Sequence, residues 1–287
     1  MMLNYLIPRP QTISILHEVS NEFYFQGSGR LSLKTFSNGR ALYETGQGTY
    51  AVEEEKYLLL NQGQEYSITI ESREPVESFC VFITEEGIED LKRTLMLPPE
   101  LLLEDPFDSG DSTTSFMEKT YTNQHMSILL KRLKGAYVHF RHDPVWMEER
   151  LHELGSVLLK DHQKVHYERQ RLTSIKSSTR AELYRRVQIG HEYLSAYFNR
   201  QITIQDSAVA ACMSGNHFLR SYKQLFGRSP HKYLTERRLQ EARKMLRTTN
   251  LTVTEICMEV GFQSPSSFSL LFSKWYGISP IAFRQKK

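Results

Sequence analysis

The sequence predicts an α+β fold in which a small β-barrel with following helices precedes an all-α domain. Short apolar runs with alternating polarity occupy the chain up to about residue 83, whereas everything after Ala181 has helical periodicity. The balance of charge also reverses between the two parts. With 287 residues, the chain has room for two domains that each bury their own core.

The charge distribution says more than the net charge of +3. Residues 1–180 hold 20 Lys and Arg against 26 Asp and Glu, whereas residues 181–287 hold 16 against 7. An acidic part joined to a basic part is typical of a protein in which one domain faces a polyanion.

Cysteine usage and hydropathy indicate the compartment. The 3 cysteines are scattered among apolar neighbours, and none is paired at metal-ligand spacing. No run is long and apolar enough to span a membrane, and Met1–Pro10 lacks a signal-peptide pattern. We therefore expect a cytoplasmic protein with buried thiols and no membrane partner.

Several short strands are expected between Thr12 and Ile83. Leu31–Phe36 alternates in polarity, and Asn38-Gly39 after it suits a tight hairpin because both residues tolerate positive φ. Three further apolar runs are separated by Gly-containing turns and by Pro75: Tyr57–Leu60, Tyr66–Ile70 and Phe79–Ile83. Short strands at this spacing favour a small barrel or sandwich.

Helical periodicity follows the strands. It runs from Thr84 to Met96, stops at Pro98-Pro99 and gives way to an acidic loop at 104–115. Two amphipathic stretches come next, Phe116–Lys134 and Pro144–Arg169.

The longer stretch carries four apolar residues on one face: Met147, Leu151, Leu154 and Leu158. That face either closes the core of the first domain or pairs with the same helix of a second subunit. The Ser- and Lys-rich segment 173–180 is interpreted as a linker between domains at 1–172 and 181–287.

The second domain contains a repeat of one structural plan. Phe226–Tyr233 aligns with Tyr276–Phe283 at an offset of 50 residues, and Ile202–Asp206 aligns with Leu251–Glu255 at an offset of 49. The difference of one residue falls in the turn between two helices, where a change of length is tolerated best. Each copy therefore predicts a capped helix, a turn, a second helix and a glycine stop.

Local signals mark the boundaries within each copy. Thr203 and Asp206 have the spacing of a capping box, as do Thr252 and Glu255. Gly261 is placed to end the first helix of copy two in a left-handed conformation. The second helices are expected at Asn216–Phe226 and Pro265–Tyr276, ended by Gly227 and Gly277 and followed by Ser-Pro pairs that start the next helix.

The second helix of each copy is amphipathic. Its inward stripe is expected to contain Phe218, Tyr222 and Leu225 in copy one, and Phe268, Leu271, Phe272 and Trp275 in copy two. A short three-helix unit that projects a polar helix face has the geometry of a helix-turn-helix reader in the major groove. The alternative is an ordinary helical domain with a solvated face.

The candidate DNA contacts are taken from the outward faces and the turns before them, where Arg suits guanine and Asn suits adenine. These are Ser214, Asn216, Leu219, Arg220, Lys223, Gln263, Ser264, Ser266, Ser267, Ser269 and Lys274. The 18 residues of Pro230–Arg247 between the copies predict a helix of about 27 Å. Because one duplex turn advances about 34 Å, the two readers could enter successive major grooves. The basic residues of this helix are candidate phosphate contacts or solvated charges: Arg237, Arg238, Arg243, Lys244 and Arg247.

From about Leu183 to Arg284, the chain resembles the DNA-binding domain of the AraC/XylS family of bacterial transcription regulators. The motifs that carry the resemblance are His217–Lys223, Phe226–Pro230, Tyr233-Leu234, Arg238-Leu-x-x-Ala242, Met245-Leu246, Glu255-Ile256, Val260–Phe262, Phe268, Phe272 and Tyr276–Arg284. The resemblance implies double-stranded DNA as the partner and base contacts by Asn216, Leu219 and Arg220. Ser207 departs from the family's usual Ile or Leu, which predicts a less tightly packed first helix. Leu270 and Ser273 replace the usual Arg and Lys, which predicts that the first unit specifies sequence more strongly.

The N-terminal part resembles, less closely, the cupin-like sensor barrels of this family through Gly48–Val52 and Leu60–Gly63. A metal-binding cupin needs several histidines in the barrel, and none occurs between Asn21 and Asp90. We therefore expect no metal and no cofactor. A pocket for a small-molecule effector and a pure dimerisation barrel both remain open.

The resemblance implies a sequence-specific transcription regulator that forms a homodimer, responds to an effector and, if it is an activator, contacts RNA polymerase. An enzyme is disfavoured by the missing histidines and because Cys80 has no His or Lys near it in sequence to lower its pKa. An architectural DNA protein without sequence preference is a third class. Asp108–Ser112 lacks the ligand spacing of a calcium loop, and a metal pair at His162 and His166 is less favoured than a solvated helix face.

Overall fold

The computed structural model describes residues 13–84, 87–88, 116–173 and 176–285. The chain divides into two compact units, Met1–Tyr167 and Glu168–Lys287. The predicted acidic loop at 104–115, with its Asp108–Ser112 segment, lies outside the described residues, as does nearly all of the predicted helix at 84–96.

The first unit contains a nearly closed, antiparallel, barrel-like sheet. Its strands are β1 (Ile13–Ser28), β2 (Ser32–Ser37), β3 (Arg40–Thr45), β4 (Thr49–Glu53), β5 (Lys56–Leu60), β6 (Glu65–Ile83) and β7 (Thr120–Thr122). Their order is β4-β3-β6-β2-β5-β7, and β1 pairs along β6. The predicted α+β class, with strands before helices, is therefore confirmed. Alternate residues from the strands fill the interior with a continuous apolar cluster that includes Tyr43, Tyr50 and Leu58.

Two of the predicted short strands form one strand, because β6 continues for 19 residues through Pro75. The ladder between β1 and β6 shifts from Ser20↔Val76 to Glu22↔Glu71, so Pro75 needs no N–H for pairing. Asn21 lies at this irregularity, and its Nδ2 donates to the carbonyl oxygen of Arg73 at 3.1 Å.

The hairpin predicted at Asn38-Gly39 is wrong. Strands β2 and β3 both pair with β6 and follow one another along it in the same direction, so the dipeptide bends the chain without reversing it. Asn38 does adopt a positive φ of 62°. Glycine follows it because a Cβ at Gly39 would lie 2.5 Å from Cγ2 of Val76.

Helices α1 (Gln124–Phe140) and α2 (Pro144–Arg169) follow the sheet. The predicted helix at Phe116–Lys134 begins too early, since Thr120–Thr122 pairs with β5 and Asn123 caps α1 by accepting from the backbone N–H of His125 and Met126. The bounds of α2 match the prediction.

The apolar face of α2 packs within the chain. Leu151, Leu154 and Leu158 are buried, and Met147 is half-buried. A buried polar network also joins the helix to the sheet. The carboxylate of Asp161 accepts from the hydroxyl of Tyr57 and, at 2.9 Å, from Nδ2 of Asn123.

The second unit is helical in its described residues. Beyond the end of α2, its helices are α3 (Ser177–Ala196), α4 (Ile204–Ala210), α5 (Gly215–Phe226), α6 (Pro230–Thr248), α7 (Val253–Glu259), α8 (Pro265–Tyr276) and α9 (Pro280–Gln285). Helix α3 begins inside the segment 173–180 that the sequence suggested as a linker. No helix of the described residues combines the length and apolar character needed to cross a membrane.

Candidate nucleic-acid interface

Helices α4 and α5 with their turn form the first helix-turn-helix, here called the first reader (residues 203–227). Thr203 and Asp206 complete the predicted capping box at the start of α4, with the Asp206 carboxylate 2.7 Å from the N–H of Thr203. Helix α5 ends at Gly227, whose φ of 69° is left-handed. The turn contains Cys212 at a φ of 51°, and this thiol is exposed, which corrects the expectation that all cysteines are buried.

The inward stripe of α5 lies as the sequence predicts, since Phe218, Tyr222 and Leu225 are buried. Nδ1 of His191, on α3, lies 2.9 Å from the hydroxyl of Tyr222, and burial raises the pKa of that hydroxyl. The buried stripe and the contact between Tyr222 and His191 therefore fix the angle at which α5 presents its outer face.

Small residues bring α3 close to the first reader. A Cβ at Gly190 would lie 2.4 Å from Cε2 of Phe218 and 3.0 Å from the carbonyl oxygen of Ser207. Ser207 is fully buried, and its hydroxyl donates to the carbonyl of Ile204 at 2.8 Å. Ser207 is thus part of the interior, and the expectation that it loosens the packing of α4 stays a prediction.

The outer face of α5 presents the predicted reading residues. Asn216, Leu219, Arg220 and Lys223 are all exposed. Among the described residues, no side-chain hydrogen bond or ion pair engages Asn216, Arg220 or Lys223. Amide and guanidinium donors in this state suit base edges, and an exposed Leu suits a thymine methyl group.

A cavity of about 510 Å³ lies beside this face, between α3 and α5. Ser214 and Arg220 line it together with Arg186 and His217, two residues that are not among the DNA contacts predicted from the sequence. His217 lies three residues before Arg220, and this helical spacing could have identified His217 as a neighbour of the predicted contacts. Arg186 lies on α3, outside the repeat. It donates to the carbonyl of Cys212 at 3.1 Å, so a cation is held beside the turn of the first reader.

Helices α7 and α8 form the second helix-turn-helix, here called the second reader (residues 252–277). Its capping box is present, with Thr252 accepting from Glu255 N and the Glu255 carboxylate accepting from Thr252 N. Gly261 adopts the predicted left-handed conformation at a φ of 87°, and Gly277 ends α8 at 76°.

The outer face of α8 offers shorter donors. Ser266, Ser267 and Lys274 are exposed, whereas Ser269 is half-buried. Two other candidates already have partners. Ser264 caps α8 through its hydroxyl, and Nε2 of Gln263 donates to Oε1 of Gln201 at 2.8 Å.

The inward stripe of α8 is only half as predicted. Phe268 and Phe272 are fully buried, but Leu271 is 38% exposed and Trp275 is 46% exposed. The corresponding residues of α5, Ser221 and Leu225, are buried. The difference is tertiary, because α5 packs against α3 on that side.

Helix α6 and the segment after α3 hold the two readers together. Arg238 of α6 donates through Nε to the carbonyl of Phe198 at 2.7 Å and through Nη2 to that of Arg200 at 2.9 Å. Burial lowers the pKa of Arg238. Arg237 pairs with Glu241 at 3.1 Å and its guanidinium lies 4.3 Å from the ring centroid of Phe198. These two arginines are therefore structural, and of the predicted phosphate contacts only Arg243, Lys244 and Arg247 are exposed.

The fold and its exposed helix faces define the second unit as a tandem helix-turn-helix, DNA-binding domain. Residues 207–286 match the family model described as "Helix-turn-helix domain". The unit is a helix-turn-helix domain of the AraC type, as its sequence motifs predict.

Similar proteins match over about a third of this chain. An "Uncharacterized HTH-type transcriptional regulator" of Haemophilus influenzae is 38% identical over 82 residues, which are 29% of this chain and 28% of that protein. The "Lactose operon transcription activator" of Staphylococcus xylosus is 29% identical over 98 residues, or 34% of this chain and 35% of that protein. The C-terminal domain of AraT, a response regulator from Geobacillus stearothermophilus, is 29% identical, with a TM-score of 0.35 over 36% of this chain and 85% of that one. The chain thus covers about a third of the length of the curated relatives it matches.

Three side chains remain as candidates for the chemistry of an enzyme or a metal site: Cys80, His162 and His166. Lys34 pairs with Cys80 between neighbouring strands, although the two residues are far apart in sequence. The positive charge of Lys34 lowers the pKa of the Cys80 thiol, but burial has the larger effect and raises it. His162 packs edge-on against Phe116, and His166 is exposed. In the part of the chain that the structure describes, no three His, Cys, Asp or Glu side chains are grouped to hold a metal ion.

Proposed function

We propose that the chain is a sequence-specific DNA-binding transcription regulator in which the first reader supplies most of the sequence preference. The observation that carries this proposal is the outer face of α5, where Asn216, Arg220 and Lys223 are exposed without side-chain partners among the described residues. The second reader offers mainly serines and Leu270, which is 74% exposed. Serine supports contacts of low selectivity, whereas Arg and Asn bind guanine and adenine in bidentate fashion.

The test begins with a selection of bound sites from random duplexes. On the selected site, Arg220→Ala should weaken binding by about 1–3 kcal/mol and relax preference at one base pair, because the bidentate contact is lost. On random DNA, the loss should be much smaller. Arg247→Ala removes an exposed Arg of α6 outside both readers, and it should weaken both duplexes alike. If Arg220→Ala weakens both duplexes alike, the assignment of base reading to this residue is wrong.

An effector and a homodimer belong to the same proposal. The barrel-like sheet contains a cavity of about 470 Å³, which is within the range of small-molecule sites. The face of α2 with Leu151 and Leu158 is buried in the protomer, so it cannot form the dimer. Exposed Val138 and Val145, at the corner between α1 and α2, support an interface there.

Sedimentation equilibrium tests the dimer. The unmodified chain should sediment as a dimer and the double variant Val138→Glu, Val145→Glu as a monomer, because burying two carboxylates in an apolar interface is unfavourable. A monomeric unmodified chain would contradict this part of the proposal.

Activation, with RNA polymerase as the partner, is supported by the similarity to the lactose operon activator. Transcription in vitro from a promoter that carries the selected site should increase when the protein is added. Repression there would refute the assignment as an activator.

A further inference from the structure

The cavity of the barrel-like sheet is lined mainly by apolar and aromatic side chains. It measures about 470 Å³ and its walls include Phe23, Phe25, Phe36, Ile68 and Phe82. Phe23 and Phe25 of β1 are 41% and 42% exposed, so they stand at the open side of the cavity. Such a cleft suits the apolar body of a small ligand.

One charged side chain lies at the closed side of this cavity. Lys34 of β2 is only 3% exposed, and it lines the cavity together with two aromatic rings. Its Nζ lies 4.1 Å from the ring centroid of Phe82 and 5.7 Å from that of Tyr66. Lysine is almost never buried to this degree unless it is paired.

No carboxylate of the described residues pairs with Lys34. Glu18 of β1 also lines the cavity, and it carries a carboxylate. Lys34 pairs in register with Cys80 of β6, and Glu18 pairs with Ser78 on the far side of that strand. Two strand spacings, about 10 Å, therefore separate the backbones of Lys34 and Glu18.

The other titratable groups that face Lys34 do not supply a negative charge. Burial raises the pKa of the Cys80 thiol and of the Tyr43 and Tyr66 hydroxyls, so all three are protonated near neutral pH. Arg30 lines the cavity as well, and it adds positive charge. The site therefore has a cation at its closed side and an apolar body, and the one carboxylate among its described lining residues, that of Glu18, is not paired with this cation.

We propose that this cavity binds an organic anion with an apolar body, whose carboxylate accepts a hydrogen bond from Nζ of Lys34. The aromatic walls would pack on the apolar part, and the ligand's charge would replace the water that burial removed from the ammonium group. This inference deepens the proposed effector function by naming the chemical class of the effector. The effect of the ligand on DNA binding rests on the proposed effector function, whereas binding of the ligand to the cavity does not.

The test uses calorimetric titration of the full chain with two probes that share one ring system. 1-Naphthoate carries a carboxylate, and 1-naphthylmethanol carries a neutral hydroxymethyl group in its place. Lys34→Met removes the charge at nearly constant length. Lys131→Met makes the same change on the exposed side of α1, away from the cavity, and serves as the matched control.

The unmodified chain should bind 1-naphthoate at one site per chain and more tightly than the alcohol. Lys34→Met should weaken 1-naphthoate by about tenfold to hundredfold, the range for a hydrogen bond to a charged group. The alcohol should bind Lys34→Met as it binds the unmodified chain, which shows that the pocket has kept its shape. Lys131→Met should change neither affinity.

Three results would overturn the proposal. They are a failure of the unmodified chain to bind 1-naphthoate, equal affinity of the unmodified chain for both probes, and a loss of affinity for both probes to the same extent in Lys34→Met. Binding that depends on Lys34 but leaves the affinity for the selected DNA unchanged would uphold the ligand site. It would instead refute the proposed effector response, so the two failures are distinguishable.

Discussion

Replacing Gly261 with alanine should destabilise the second reader far more than the same change at Gly277. Both glycines have a positive φ, 87° and 76°. A Cβ at Gly261 would lie 2.9 Å from the carbonyl oxygen of Phe198, 3.0 Å from the carbonyl carbon of Asn199 and 3.1 Å from Nε of Arg238. A Cβ at Gly277 would meet no atom of the described residues within 4 Å.

The magnitudes follow from this geometry. Each alanine bears the cost of a left-handed conformation, about 1–2 kcal/mol. At Gly261, overpacking against backbone atoms adds about 1–3 kcal/mol, since neither the Phe198 carbonyl nor Asn199 can move aside as a flexible side chain would. We therefore expect a loss in the free energy of unfolding of about 2–5 kcal/mol for Gly261→Ala, and of about 1–2 kcal/mol for Gly277→Ala.

Urea unfolding followed by far-ultraviolet circular dichroism measures both losses, and hydrogen exchange locates them. In Gly261→Ala, faster exchange should extend from α7 and α8 to the segment 198–201 that contacts the turn. In Gly277→Ala, it should stay near the end of α8. Equal losses of stability for the two variants would refute the argument that backbone contact, and not φ alone, requires glycine at position 261.

Two further predictions concern the first unit. Tyr57→Phe should lower the free energy of unfolding by about 1–3 kcal/mol, because the buried carboxylate of Asp161 loses one of its hydrogen-bond donors. The same change at the exposed Tyr24 is the control. Equal thermal unfolding temperatures for the two variants would contradict the prediction. Burial lowers the pKa of Lys34 below its ordinary value of 10.5, so the folded state binds its proton less readily than the unfolded state does. The free energy of unfolding of Lys34→Met should therefore exceed that of the unmodified chain, most of all at pH values below the pKa of Lys34 in the folded state. The difference between the two free energies should disappear as the pH rises to 10.5. Urea titrations between about pH 7 and 10.5 measure this difference. A difference in stability that increased with pH would contradict the prediction.

The sequence by itself determined the architecture of the second unit. Capping boxes, left-handed glycines and Pro at the first turn of a helix are local signals, because their hydrogen bonds and φ angles involve residues within a few positions of each other. The bounds of α8 and the capping residues Thr203 and Thr252 therefore match their predictions. The repeat also revealed that the two readers share a plan but differ in side chains.

Only the tertiary structure decided which side chains those elements bury. Trp275 is on the predicted inward stripe of α8, yet it stays exposed, whereas its counterpart Leu225 is buried where α5 packs against α3. Arg238 looked like a phosphate contact and instead ties α6 to the segment after α3. Strand pairing was likewise beyond local patterns, since Asn38-Gly39 has the composition of a hairpin but both strands around it pair with β6. Burial of Lys34 depends on strands that are far apart in sequence, which is why the charge in the barrel cavity could not be foreseen from the sequence.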